Sequence, residues 1–221
     1  MVDFVSAQVE QMVSLAWLVP GGQFPSGSTT VDLAQLPSGC TSCDQFVQML
    51  DGREHEARFT TVRFERADFE AGRLYFCEQL TPQLVWRREW QTHANGSTGI
   101  ARFTIVDPDP ERAATRFGAM LAADAYAWRP GRASVMLADC EVELVTAGVY
   151  RDDAGGDAAC DPRDVHGRPR SRYMAMLTLR TASLAAARAA LERGGVGFVA
   201  SPGALTVAAR DAFNCTLRFC A

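Results

Sequence analysis

The order strand, helix, strand, strand, strand occurs twice between residues 99 and 221, and this repetition constrains the fold more than any other feature of the sequence. In the first copy, residues 100 to 106 (IARFTIV) read as a strand. Asp109 then stands where a helix cap belongs, Pro110 follows it, and Ala113, Phe117 and Leu121 fall on one helical face. Strands are expected near Tyr126, from Ala133 to Leu137 and from Cys140 to Val145. In the second copy, residues 175 to 181 (AMLTLRT) read as a strand, Ser183 is placed to cap a helix from Leu184 to Arg193, and Gly194-Gly195 ends it. Strands follow near Gly197 to Ala200, Ala204 to Ala208 and Cys215 to Phe219. An offset of 75 residues carries Val106 to Thr181 and also Glu143 to Arg218, so one spacing serves the first and the last strand. Two units of one design are expected, at residues 99–150 and 173–221, joined by an exposed loop at 151–172 rich in Asp, Gly, Pro and Arg.

The stretch before the repeat changes character once. Residues 1–52 hold five acids and no basic residue, whereas all 22 basic residues, arginines throughout, lie from Arg53 onward. Rich in Gly, Ser, Gln and Pro, residues 1–52 read as a poorly structured or atypical N-terminal segment. Within residues 53–98, Ala57, Phe59 and Thr61, then Leu74 and Phe76, alternate with polar neighbours around a turn-like stretch from Ala67 to Gly72, the pattern of a hairpin. Trp86 and Trp90, four apart, suggest a short helical turn before a polar loop through His93.

Composition narrows the chemistry. The chain has no lysine, which removes Schiff-base catalysis and the phosphate-binding lysine of P-loop proteins, and its Ala- and Arg-rich bias is usual in bacterial chains from high-GC genomes. A formal charge of −4 without a basic stripe argues against nucleic acid as a partner. No apolar run is long enough for a membrane span and no signal-peptide pattern opens the chain, so a soluble, cytoplasmic protein is expected. The seven cysteines are odd in number and sit mostly among apolar strand residues, where cysteine acts as a small hydrophobe.

The stretch LTPQLVWRREWQTHANG from Leu80 to Gly96, the unit GIARFTIVDPDPERAATRF after it, and ADCEVELV from Ala138 to Val145 together resemble the vicinal oxygen chelate superfamily, in particular its glyoxalase-like domain proteins. The resemblance spans roughly residues 53–221. It implies an α+β fold of paired βαβββ modules (glyoxalase/bleomycin resistance/dioxygenase-like) with curved sheets around a cup. The hairpin would be the end of a preceding module whose beginning is not recognisable in residues 1–52. In metal-dependent members the first and last strands of two modules ligate a divalent cation, which acts on the substrate as a Lewis acid. The positions that map here are Ala101, Glu143, Met176 and Arg218, of which only Glu143 can ligate. No cofactor is therefore expected, and a divalent metal is not favoured.

Each candidate residue keeps two readings. Glu143 is a proton-transfer group or an acid paired with an arginine. Arg218 clamps an anionic ligand or forms an ion pair with Glu143. Trp86 and Trp90 wall a ligand site or belong to a core, and His93 reaches a site rim or is a solvated loop residue. The resemblance implies a protein acting on or binding a small oxygenated or carboxylated metabolite, with lyase- or isomerase-type activity left open. A non-catalytic, sequestering module and a truncated inactive paralogue are the alternatives. The expected partner is a small molecule, with no nucleic acid or membrane; a homodimer stays open.

Overall fold

The computed structural model describes residues 14–19, 40–50, 52–63, 71, 73–84, 87–121, 123–137, 140–164 and 166–221, and it divides into two compact units, Met1–Gln91 and Thr92–Ala221. The first unit contains β1 (Ser14–Val19), β2 (Cys40–Leu50), β3 (Arg53–Arg63) and β4 (Arg73–Gln79) in the sheet order β1-β4-β3-β2. β1 runs parallel to β4, and the other neighbours are antiparallel. The hairpin expected between residues 54 and 76 is the β3/β4 pair. Two strands lie inside residues 1–52, where composition suggested poor structure; residues 1–13, 20–39 and 51 lie outside the described residues. Short 3-10 turns at Pro82–Leu84 and Arg88–Trp90 follow β4.

The second unit contains β5 (Ser97–Val106), α1 (Pro110–Leu121), β6 (Ala125–Arg129), β7 (Arg132–Leu137), β8 (Cys140–Val145), α2 (Ala147–Ala154), β9 (Tyr173–Thr181), α3 (Leu184–Arg193), β10 (Val199–Ser201), β11 (Ala204–Val207) and β12 (Thr216–Cys220). All eight strands form one open, curved sheet in the order β10-β11-β12-β9-β5-β8-β7-β6. In each half the first strand is parallel to the last, β5 to β8 and β9 to β12, and the halves join through the antiparallel pair β5/β9. This is an α+β fold of paired βαβββ modules. The first unit shows the same strand order and directions as one such module.

Strand alternation decides which face each helix covers, because ladder partners share a face. α3 buries Ala187 against Leu205, Val207 and Phe219, with Leu184 and Leu191 packed around them. α1 buries Pro110, Ala114, Phe117 and Gly118, a face turned slightly from the one expected, leaving Ala113 and Leu121 half-buried. Gly118 is needed there, since a Cβ would lie 2.6 Å from the Ala123 carbonyl oxygen. The expected caps form: Asp109 accepts from the Arg112 N–H and Ser183 from the Ala186 N–H.

The stretch after β8 departs from expectation. Thr146 caps α2 by accepting from the Val149 N–H, and Gly155, with φ 85°, ends it in the left-handed region. The connection is only partly exposed, because Ala154, Ala158 and Cys160 are buried. Tyr150 pins it. Its fully buried hydroxyl accepts from the Cys160 N–H at 2.8 Å and lies 2.7 Å from Thr216 Oγ1, which itself donates to the Ala158 carbonyl. Burial pushes this phenol well above its ordinary pKa. Tyr150→Phe is expected to cost about 1–3 kcal/mol, because it strands the buried Cys160 donor. Urea unfolding checks this, and an unchanged midpoint would show that the hydroxyl is dispensable. Among the described residues no helix is long and apolar enough to cross a membrane.

Candidate functional site

The face of the eight-stranded sheet opposite α1 and α3 carries the polar side chains. In the first module, ladder register sets Arg102 beside Glu141, Thr104 beside Glu143, and Glu143 beside Ser134. Glu143 has no exposed side-chain surface. Its Oε1 is ion-paired with Arg132 and lies 3.5 Å from Arg102 Nη1, while Oε2 accepts from Thr104 Oγ1 at 2.9 Å. Glu141 accepts from Arg102 Nε and from Ser134 Oγ, each at 2.6 Å. Arg132 also bonds the Asp153 carboxylate, which brings α2 over this face. Burial acts against the charge of Arg132, but its hydrogen bond to Asp153 and the charges of Glu143 and Asp153 outweigh that, and its pKa is raised. The network is closed: its acids answer its arginines inside the chain.

An ion pair between Glu143 and Arg218 does not form. Between β8 and β12 lie β5 and β9, so the cations that reach Glu143 come from β7 and β5 instead. Arg218 lines a cleft of about 520 Å³ between the end of α2 with the turn after it, which contribute Asp153 and Asp157, and the second module, which contributes Phe198, Val199 and Thr206. There its Nη2 donates to the Asp153 carbonyl and its Nε to Thr206 Oγ1 at 3.3 Å. Both acceptors are neutral. Elsewhere on the cleft, Arg210 donates to the Asp157 carbonyl at 3.0 Å and lies 3.7 Å from the Asp211 carboxylate.

Sheet register also corrects the mapping of the two modules. The pair Thr104 and Glu143 corresponds to the pair Thr178 and Arg218, so the first strands are offset by 74 residues and the last strands by 75. Ladder register shifts between Ile100 and Arg102, and the counterpart of Met176 is therefore Arg102 rather than Ala101. The resulting set of Arg102, Glu143, Met176 and Arg218 offers one carboxylate, already bonded, with two permanent cations and a thioether. That set does not fit a divalent cation. Among the described residues no group of three or more His, Cys, Asp or Glu side chains is arranged to hold a metal.

The other candidates fall elsewhere. His93 is exposed in the turn before β5, where its carbonyl accepts from the Gly96 N–H, and it does not line the cleft. Trp90, in the first unit, is exposed, with the Arg87 guanidinium 5.4 Å from its ring centroid. Trp86 lies outside the described residues. Burial pushes the Cys215 thiol up to about 11 and raises that of Cys160, which leaves both neutral and unreactive near pH 7. Arg102, Arg132 and Asp153 were not among the sequence candidates. A signal existed for two of them: Arg132 and Ser134, like Arg102 and Thr104, are spaced two apart on strands otherwise apolar, the pattern of a polar sheet face.

No protein-family model and no curated protein matches the sequence. Among solved structures, a methylmalonyl-CoA epimerase from Mycobacterium tuberculosis aligns with a TM-score of 0.41 and 14% identity over 58% of this chain and 91% of its own. A hypothetical protein from Staphylococcus aureus aligns with a TM-score of 0.46 and 8% identity over 80% of this chain and 53% of its own. A xylose isomerase-like TIM barrel/4-hydroxyphenylpyruvate dioxygenase fusion protein aligns with a TM-score of 0.43 and 11% identity over 80% of this chain and 34% of its own.

Proposed function

We propose that this chain binds a small oxygenated metabolite through an anionic group held at Arg218, in a site that works without a divalent metal. The observation that carries this reading is the bonding of Arg218: its guanidinium lines the cleft, and its partners, a carbonyl and a hydroxyl, leave its charge uncancelled. A planar guanidinium with donors to spare suits a carboxylate. Asp157 offers an acceptor for a ligand hydroxyl, and Phe198 and Val199 give the cleft an apolar wall.

The first module's half of the face favours binding over turnover. Glu143 is sealed from solvent and bonded to Arg132 and Thr104, so a proton could reach it only after a buried ion pair had opened. A thermal-shift screen of the full chain against small oxygenated anions and divalent metals tests the reading. At about 100 times its Kd, a ligand specific for the native state stabilises by roughly 2.7 kcal/mol, which moves the melting temperature visibly. Anions are expected to raise it and metals to leave it unchanged, with elemental analysis finding no stoichiometric divalent metal. One tightly bound metal per chain, or no response to any anion, would overturn the proposal.

A further inference from the structure

We infer that the ligand of this cleft is a monocarboxylate, whose acid group answers Arg218 as Arg132 answers Glu143 in the other module. The inference rests on the reading of the cleft as a small-molecule site and gives that site a chemical class. Because the modules repeat, each residue of the polar face has a counterpart. Glu143 corresponds to Arg218, Thr104 to Thr178, and Ser134 to Thr206, through their ladder partners. Each module thus sets one charged side chain of its last strand between two hydroxyl-bearing neighbours.

In the first module the charge is neutralised from within. Arg132 on β7 reaches Glu143, and Arg102 on β5 stands 3.5 Å away. In the second module the corresponding residues are Ala204, which pairs with Cys220 as Arg132 pairs with Val145, and Met176. Neither carries charge. The second module therefore keeps the charged centre and its hydroxyls but has no ionic partner at either position. Ser201, the ladder partner of Ala204, lines the cleft with Arg218 and Thr206, so the half-buried Ala204 stands on the cleft's side of the sheet next to its lining.

The charge of the cleft sets the limit on that ligand. Asp153, Asp157 and Asp211 line it with Arg210 and Arg218; Asp153 is held by Arg132 and Asp211 lies beside Arg210, so an anionic group beyond the one at Arg218 would meet the Asp157 carboxylate. One carboxylate fits and a polyanion does not, which separates a monocarboxylic acid from a phosphate.

Isothermal titration of the full chain with butyrate, its neutral counterpart butyramide, and inorganic phosphate tests this. Butyrate is expected to bind at least ten-fold more tightly than either of the others. Ala204→Glu should supply the missing acid within the chain, lower butyrate affinity at least ten-fold and hold or raise the melting temperature. Ala204→Gln, the same size without charge, should leave affinity within about three-fold, since the effect is ionic rather than steric. Should Ala204→Glu not fold, Ser201→Glu on the exposed neighbouring strand supplies the acid instead. Equal binding of butyrate and butyramide, phosphate binding as tightly as butyrate, an acid variant that binds butyrate unchanged, or loss of binding in Ala204→Gln overturns the inference. In those outcomes, Arg218-dependent binding of some other small anion leaves the proposed function standing, whereas absence of any such binding removes both.

Discussion

Replacing Arg132 with methionine is expected to destabilise the chain by roughly 3–5 kcal/mol, the cost of leaving a buried charge without its partner. Glu143 has no exposed side-chain surface, and Arg132 is its principal cation. Arg102, at 3.5 Å, cannot take over fully, because its Nε is already bonded to Glu141 at 2.6 Å. Asp153 also loses its guanidinium partner, but its side chain is 31% exposed, so water makes up much of that loss. The double variant Arg132→Met with Glu143→Met should be more stable than Arg132→Met alone, since removing both charges ends the desolvation penalty and methionine fills the volume. Urea unfolding of the single and double variants measures both effects. A loss below about 1 kcal/mol in Arg132→Met would mean that the pair behaves as a surface bridge, and the closed network would then be a poor description of this face.

Arg218→Ala should show the opposite profile, with little loss of fold and a large loss of binding. Its two hydrogen bonds go to neutral acceptors, so truncation costs stability of the order of 1–2 kcal/mol. Affinity for a small carboxylate should fall at least 30-fold, because removing one partner of a desolvated charge pair costs about 2 kcal/mol or more. Arg218→Lys keeps the charge and loses the fork that meets two carboxylate oxygens, and it should fall between wild type and alanine. Titration of the three forms with butyrate, alongside their melting curves, gives the comparison. If Arg218→Ala binds as wild type does, the anion is not held at this guanidinium.

Much of the architecture was legible because it is written in local patterns. Short apolar runs recurring in the same order marked β5, β8, β9 and β12, and the side chains of Asp109 and Ser183 marked the starts of α1 and α3, since a cap satisfies donors within three residues of itself. The signal failed for α2, whose eight residues bury only Tyr150 and Ala154 and whose last turns are charged. Its place depends on the contact of Tyr150 with Cys160 in the next turn and with Thr216, 66 residues along the chain.

By itself the sequence determined that two βαβββ units repeat and which strand positions are polar. Only the tertiary structure decided which charges meet. A common offset made Glu143 and Arg218 look like partners, but β8 and β12 are three strand spacings apart, roughly 14 Å at about 4.8 Å per spacing. Glu143 took its cation from the adjacent β7, and Arg218 was left facing a cleft, bonded to a carbonyl and a hydroxyl and without an ion pair among the described residues. Alternation along a strand fixes the face on which a side chain lies, whereas the order of strands across the sheet fixes its neighbours, and that order is a property of the whole fold.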